Sequence, residues 1–340
     1  MGLARGGTFI NEATRGVAIG GQGVAGLAAQ GSVIWSLPGI RWTSRQTPDD
    51  SSSQNWWSLA YGAGKFVALS PVSGVVRPVM TSDDGITWTS HLGSSSTPTG
   101  AENNYWNYLI YGNGLFLAVA STGTYRVMTS ADGVTWTRRA AASVMSWRSV
   151  AYGAGRFVAV ANGGTGNQVM VSQNGGISWG LYPSSENNAW QSITYGNGLF
   201  VAVASNGTNR VMTSPDGEVW TPRQSAENNA WQSITYGYGL FVAVATSGTN
   251  RVMTSPDGEV WTPRQSAAAN SWWGVTYGDG MFVAVSNTGA GNRVMTSPDG
   301  IIWTSRQHPT NNNWNTVAYG NGRFVAVAST GANDRVMTSP

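Results

Sequence analysis

Hydrophobic and polar residues alternate along most of this chain in short bursts, and Gly, Asn, Asp and Ser gather in the gaps between them. A period of two predicts strands, and the gaps predict tight turns. Residues 190–223 show the unit in full. Residues 190–195 alternate large and small side chains, Gly196-Asn197-Gly198 supplies residues that tolerate positive φ, and residues 200–204 read as a second strand. A polar loop over 205–209 leads to a third strand over 210–213, and Pro215-Asp216-Gly217 turns the chain into a fourth through Val219, Trp220 and Thr221. The expected product is a small antiparallel meander that cannot bury its own faces.

The unit recurs seven times. Its Tyr-Gly pair stands at Tyr61, Tyr111, Tyr152, Tyr195, Tyr236, Tyr277 and Tyr319, each preceded five residues earlier by a tryptophan: Trp56, Trp106, Trp147, Trp190, Trp231, Trp272 and Trp314. A second column, Trp42, Trp88, Trp136, Trp179, Trp220, Trp261 and Trp303, marks the fourth strand, and a Val-Met pair marks the third. So regular a repeat predicts one domain over 36–340, where 340 residues alone would suggest two. The chain enters the repeat in mid-unit, since 36–46 match a turn and a fourth strand, and it runs out after a third strand at 335–340. An open solenoid gains nothing from that offset, whereas a ring is closed by it. The expected fold class is all-β: a seven-bladed β-propeller closed by an N-terminal strand, with a short extension over 1–35.

Composition excludes several functions. Gly at 45 residues, Trp at 17 and only 10% charged residues suit sheet and turn and leave little room for helix. The net charge of +3 is carried by arginine, with Lys65 the only lysine, which favours planar bidentate contacts over diffuse electrostatics. No basic run interleaved with aromatics is present, so no nucleic-acid partner is expected despite a pI near 9.3. Cysteine is absent and the two histidines, His91 and His308, fit no metal or triad pattern, so neither metal nor cofactor is expected. No stretch approaches the roughly eighteen apolar residues of a membrane helix, so no membrane insertion is expected.

The turn before each fourth strand is a recognisable box. Ser172-Gln173-Asn174-Gly175-Gly176-Ile177-Ser178-Trp179 resembles the Asp-box of sialidase-like (BNR) propellers with Asn174 replacing Asp, and shorter versions run from Ser82 to Trp88 and from Ser214 to Trp220. The resemblance implies a structural turn that lies away from the binding face. Residues 23–35, Gly-Val-Ala-Gly-Leu-Ala-Ala-Gln-Gly-Ser-Val-Ile-Trp, look like the short β-segments near the starts of bacteriophage tail-associated proteins, and the repeats are similar to those of phage and bacterial propellers. Those resemblances imply a virion tail or fibre component that contacts other virion proteins through residues 1–35. A similarity to photosystem II assembly propellers would imply a scaffold instead.

Chain direction puts the second-to-third strand loops and the interblade loops on one face, opposite the box turns. Arg126, Arg210, Arg251, Arg293 and Arg335 open third strands, while Arg45, Arg139, Arg223, Arg264 and Arg306 close fourth strands. The two columns are expected to be neighbours, either presenting paired guanidinium groups to an anion or glycan or capping loop carbonyls. Residues 186–226 and 227–267 are nearly identical, so Asn187, Asn188, Arg210 and Arg223 are repeated as Asn228, Asn229, Arg251 and Arg264, an expected pair of equivalent shallow sites. Trp57 and Trp273 stand where other units carry Asn107, Arg148, Gln191, Gln232 and Asn315, and read equally as a sugar platform or as filler of a wide interblade gap. The glutamates (Glu12, Glu102, Glu186, Glu218, Glu227 and Glu259) form no unique carboxylate pair. The expected function is a non-catalytic phage virion propeller that binds a host cell-surface glycan or receptor. A sialidase-like hydrolase and an assembly scaffold are the alternatives, and homo-oligomerisation is left open.

Overall fold

A computed structural model describes residues 38–48, 54–71, 79–91 and 104–340 in full, together with the backbone of six short strands between Leu3 and Ser36. The expected attachment segment, 1–35, lies outside the fully described residues. The repeats fold into seven four-stranded antiparallel sheets. In the fourth blade the strands are Trp190–Gly196, Leu199–Ala204, Val211–Ser214 and Thr221–Arg223, in that spatial order. First strands of successive blades touch all the way around, and Trp314–Gly320 of the last blade meets Ser58–Gly62 of the first. The architecture is a seven-bladed β-propeller with the first strands innermost, and no helix occurs among the described residues.

The ring closes as the offset ends require. Thr43–Arg45 is the outer strand of the last blade, antiparallel to Val336–Ser339 with Val336 opposite Arg45. The box of that blade is split between the two ends of the chain: the Gly39 amide donates to Ser339 Oγ at 2.8 Å, and Trp42 Nε1 donates to the Gly39 carbonyl at 2.9 Å. In the unbroken fourth-blade box, Ser214 Oγ accepts from the Gly217 amide at 2.8 Å, and Asp216 Oδ1 accepts from Glu218 and Val219 at 2.9 and 3.2 Å. Asn174 does the same work in the third blade, its amide oxygen accepting from Ser178 at 3.0 Å.

These clasps have a pH consequence. Burial opposes ionisation of Asp132, but hydrogen bonds from the Thr135 and Val134 amides and the Ser130 hydroxyl outweigh it and hold the carboxyl at about 2. Asp84, Asp216, Asp257 and Asp299 are lowered by the same kind of backbone bonds. A depressed folded-state pKa contributes stability above the unfolded value near 4 that is lost as pH falls toward the folded one. The melting temperature is therefore expected to drop between about pH 4 and pH 2, and a variant with Asn at all five positions, copying Asn174, should shrink that acid step, leaving the part due to Glu186 and Glu227, which are also lowered. An unchanged acid step in the variant would assign the loss to other groups.

The core sits between blades. Every Trp of the first column is fully buried. Trp190 packs on Phe200 and Met212 of its own blade and on Val158 and Val160 of the blade before. The Tyr-Gly pair has a separate reason to recur. A Cβ on Gly196 would lie 2.1 Å from the Tyr236 ring of the next blade, and the same contact joins Gly320 to Tyr61 across the closure. Only glycine lets that ring seat on the backbone. The following pair, Asn197 at φ 48° and Gly198 at φ 76°, makes the left-handed turn that a two-residue hairpin demands.

Candidate functional site

In six of the seven blades the residue after the inner Trp is placed by an irregularity in the strand. Trp190 pairs with Ala204 but Ser192 pairs with Val203, so Gln191 is an extra residue in a β-bulge, and the register shifts in the same way in the second, third and fifth to seventh blades. A bulge re-aims the side chain it carries. The seven residues at this position, Trp57, Asn107, Arg148, Gln191, Gln232, Trp273 and Asn315, all line one central cavity of about 350 Å³. Further along the same strands the wall continues through Ala60, Ile110, Ala151, Thr194, Thr235, Thr276 and Ala318.

This collar forms the mouth of the channel on the loop face. Trp57 and Trp273 do not fill an interblade gap: their rings meet edge to face, 5.7 Å apart at 78°, from blades separated by the last one. Tyr105 adds a third ring 6.5 Å from Trp57. On the other side of Trp57 lies Arg148, its guanidinium carbon 5.9 Å from the indole centroid, within cation–π range. Arg148 Nε donates to Gln191 Oε1 at 3.1 Å and Nη1 to Asn107 Oδ1 at 3.2 Å. Asn107 and Asn315 are themselves anchored, donating to the Trp147 and Trp56 carbonyls at 2.8 and 3.2 Å. Burial lowers the pKa of Arg148, with Tyr105 acting in the opposite direction.

Tyr108 also breaks the symmetry. Its column carries Ser58, Ser149, Ser192, Ser233, Gly274 and Thr316 in the other blades, where Ser192 Oγ accepts the Ile234 amide at 3.3 Å and so stitches two first strands together. Tyr108 lines the cavity as Ser192, Ser233, Gly274 and Thr316 do, its larger side chain also packing on the interblade core that holds Val119 and Trp147, and burial pushes its pKa up. Arg148, Tyr105 and Tyr108 were not picked out as site residues by sequence reasoning. The available signal was that Arg148 and Tyr108 break otherwise small or neutral columns.

Of the two readings open for the loop arginines, the third-strand column follows the capping of loop carbonyls. The two arginine columns are neighbours in register, Arg223 lying opposite Val211 and Arg264 opposite Val252, but their side chains take different directions. Arg210 donates through Nε to Gly207 O at 3.1 Å and through Nη1 to Asn229 O at 2.8 Å, tying its own loop to the start of the next blade. Arg251 repeats this with Gly248 O at 2.9 Å and Ala269 O at 2.9 Å. Arg223 instead leans back along the sheet, with Nε on Thr213 Oγ1 at 3.2 Å and Nη2 on Glu259 of the next box at 2.6 Å. Arg264 reaches Thr254 Oγ1 at 3.1 Å but faces a following box that carries Ile301 where Arg223 meets Glu259, so the two copies are not equivalent. Carbonyls and hydroxyls lay within reach of each long side chain, and they decided its direction.

Asn188 and Asn229 are buried and donate to the Asn209 and Asn250 carbonyls at 2.7 and 2.6 Å. Glu186 and Glu227 complete these loop clasps through Asn209 and Asn250. Asn187 and Asn228 are exposed, and Asn187 Oδ1 accepts the Gly166 amide at 2.5 Å. Where the pattern departs, the roles persist: buried Gln168 donates to the Asn188 carbonyl at 2.9 Å in place of an arginine, and His91 bonds Thr81 Oγ1 at 2.8 Å.

The sequence matches no known family description and no curated protein. Solved structures share the fold. A streptogramin B lyase superposes with a TM-score of 0.73 at 12% identity, covering 88% of this chain and 97% of its own. A catalytically inactive virginiamycin B lyase from Staphylococcus aureus, solved with quinupristin, gives 0.73 at 10% identity over 88% and 99%. YCF48 bound to D1 peptide gives 0.65 at 15% identity over 89% and 99%. At these identities the likeness is one of fold, shared by a lyase and a peptide-bound protein alike.

Proposed function

We propose that this chain is a non-catalytic recognition ring that binds cell-surface glycan, carried on a virion tail or fibre. The observation that carries the reading is the channel mouth, where one arginine, two tryptophans and a collar of amides face the cavity without a carboxylate among its lining residues. Glycoside hydrolysis usually calls for two acids astride the scissile bond. Most acids among the described residues are engaged elsewhere: in the box clasps, in the Glu186 and Glu227 loop clasps, and in the Arg156–Glu218 and Arg223–Glu259 pairs at 3.0 and 2.6 Å. The virion setting rests on the resemblance of residues 23–35 and of the repeats.

The test is a glycan array probed with the purified full chain, with released reducing sugar measured in parallel. Retention of a defined subset of glycans without release is expected. Turnover that a single Asp or Glu substitution abolishes would favour the hydrolase, and a blank array would remove the glycan reading. The similarity to peptide-bound YCF48 favours a second reading, a protein-assembly scaffold, for which retained peptide on a blank glycan array would be the sign.

A further inference from the structure

We propose that the channel mouth is a site for the carboxylate of an acidic monosaccharide unit, with Arg148 receiving the carboxylate and Trp57 and Trp273 facing the sugar ring. The proposal rests on the glycan-binding reading above and assigns its chemistry and its residues.

The first ground is charge. At the surface, Arg156 and Arg223 are neutralised by Glu218 and Glu259. Arg148 sits deeper and has only neutral partners, the Gln191 and Asn107 side-chain oxygens and the Trp57 face. A cation taken out of water is costly unless an anion and full hydrogen bonding compensate it. Guanidinium has five N–H groups, and with Nε and one Nη1 hydrogen engaged the remaining Nη1–H and Nη2–H form an end-on fork free to meet a carboxylate.

The second ground is independent of charge. Trp273 Nε1 is buried without a hydrogen-bond partner. Trp56 and Trp106 Nε1 are unpaired as well, but they lie in the interblade core, whereas Trp273 belongs to the cavity wall. Gln232, next to Trp273 in the collar, lines the same cavity with its neutral amide, as do Gln191, Asn107 and Asn315. The cavity wall therefore brings together a cation, several neutral amides and two indoles, one with an unpaired N–H, around a volume of about 350 Å³. That volume lies at the small end of ligand pockets, the size of a sugar unit. A pyranose ring presents apolar C–H faces to indole rings and hydroxyls to amides, and an acidic one adds the anion that Arg148 lacks.

Titration calorimetry on the full chain, with glucuronate, N-acetylneuraminate, glucose and a tripeptide with a free C-terminus as separate probes, decides the matter. At least one acidic sugar should bind about tenfold or more tightly than glucose, the scale of one charge-assisted contact. Arg148→Gln should erase that preference while circular dichroism stays unchanged. Trp273→Phe keeps the aromatic ring, removes the indole donor, and should weaken the acidic sugar severalfold, which supplies a second readout if the arginine variant folds poorly. Equal binding of acidic and neutral sugars, or a preference that survives Arg148→Gln, overturns the proposal. So does binding of the tripeptide alone, which would assign the mouth to a peptide carboxylate. If arrayed glycans are retained by wild type and by Arg148→Gln alike, the glycan reading stands and the mouth is not the site; if none is retained, the reading itself fails.

Discussion

Removing residues 1–46 is expected to abolish cooperative folding of the ring. The deletion strips the last blade of its outer strand, Thr43–Arg45, and of half its box, including the Gly39 and Trp42 bonds. Loss of a buried Trp alone costs about 3–5 kcal/mol, against a total stability on the order of 5–15 kcal/mol for a typical protein. The exposed edge at Val336–Ser339 then becomes a template for pairing with other chains. Differential scanning calorimetry and size-exclusion chromatography should show a lost or broadened transition and self-association. Grafting residues 36–46 after Pro340 should restore both, because the strand then completes the same sheet from the other end. A deletion variant that melts like the intact chain would mean that the ring does not depend on this seam.

Trp190→Ala should lower stability by about 3–5 kcal/mol, because the indole is fully buried among the side chains of two blades and its Nε1 donates to the Glu186 carbonyl at 3.2 Å. Trp57→Ala, at a half-buried ring in the channel mouth, should cost much less. Chemical denaturation of the two variants side by side measures the difference. Similar losses would place Trp57 in the structural core and count against a ligand-facing role.

The blades were legible in the sequence because three signals agreed: the period-two alternation of 190–195, the Gly196-Asn197-Gly198 turn, and the recurrence of both. The seam was legible because Ser36 to Gln46 and Arg335 to Pro340 are complementary pieces of one repeat. The channel mouth was harder to see. A bulge adds one residue without disturbing the visible alternation, so nothing in the string Trp190-Gln191-Ser192 says that Gln191 turns to the axis. The arginines left two readings open for a different reason: spacing fixes where Arg210 and Arg223 leave the backbone, but their long side chains reach whatever acceptors the fold brings near, here the Asn229 carbonyl and Glu259. Trp57 and Trp273 stood out only as exceptions, and that exception was the one sequence clue that led to the cavity.

The contact between each blade's glycine and the next blade's tyrosine is directional, socket on one side and plug on the other, and it runs unbroken from Gly62–Tyr111 through to Gly320–Tyr61. Each repeat therefore carries both halves of its own joint. In the language of symmetric assemblies this is a head-to-tail interface whose rotation closes, so a single repeat is in principle a self-complementary building block, and the covalent chain is a ring of protomers whose copy number has been written into one gene.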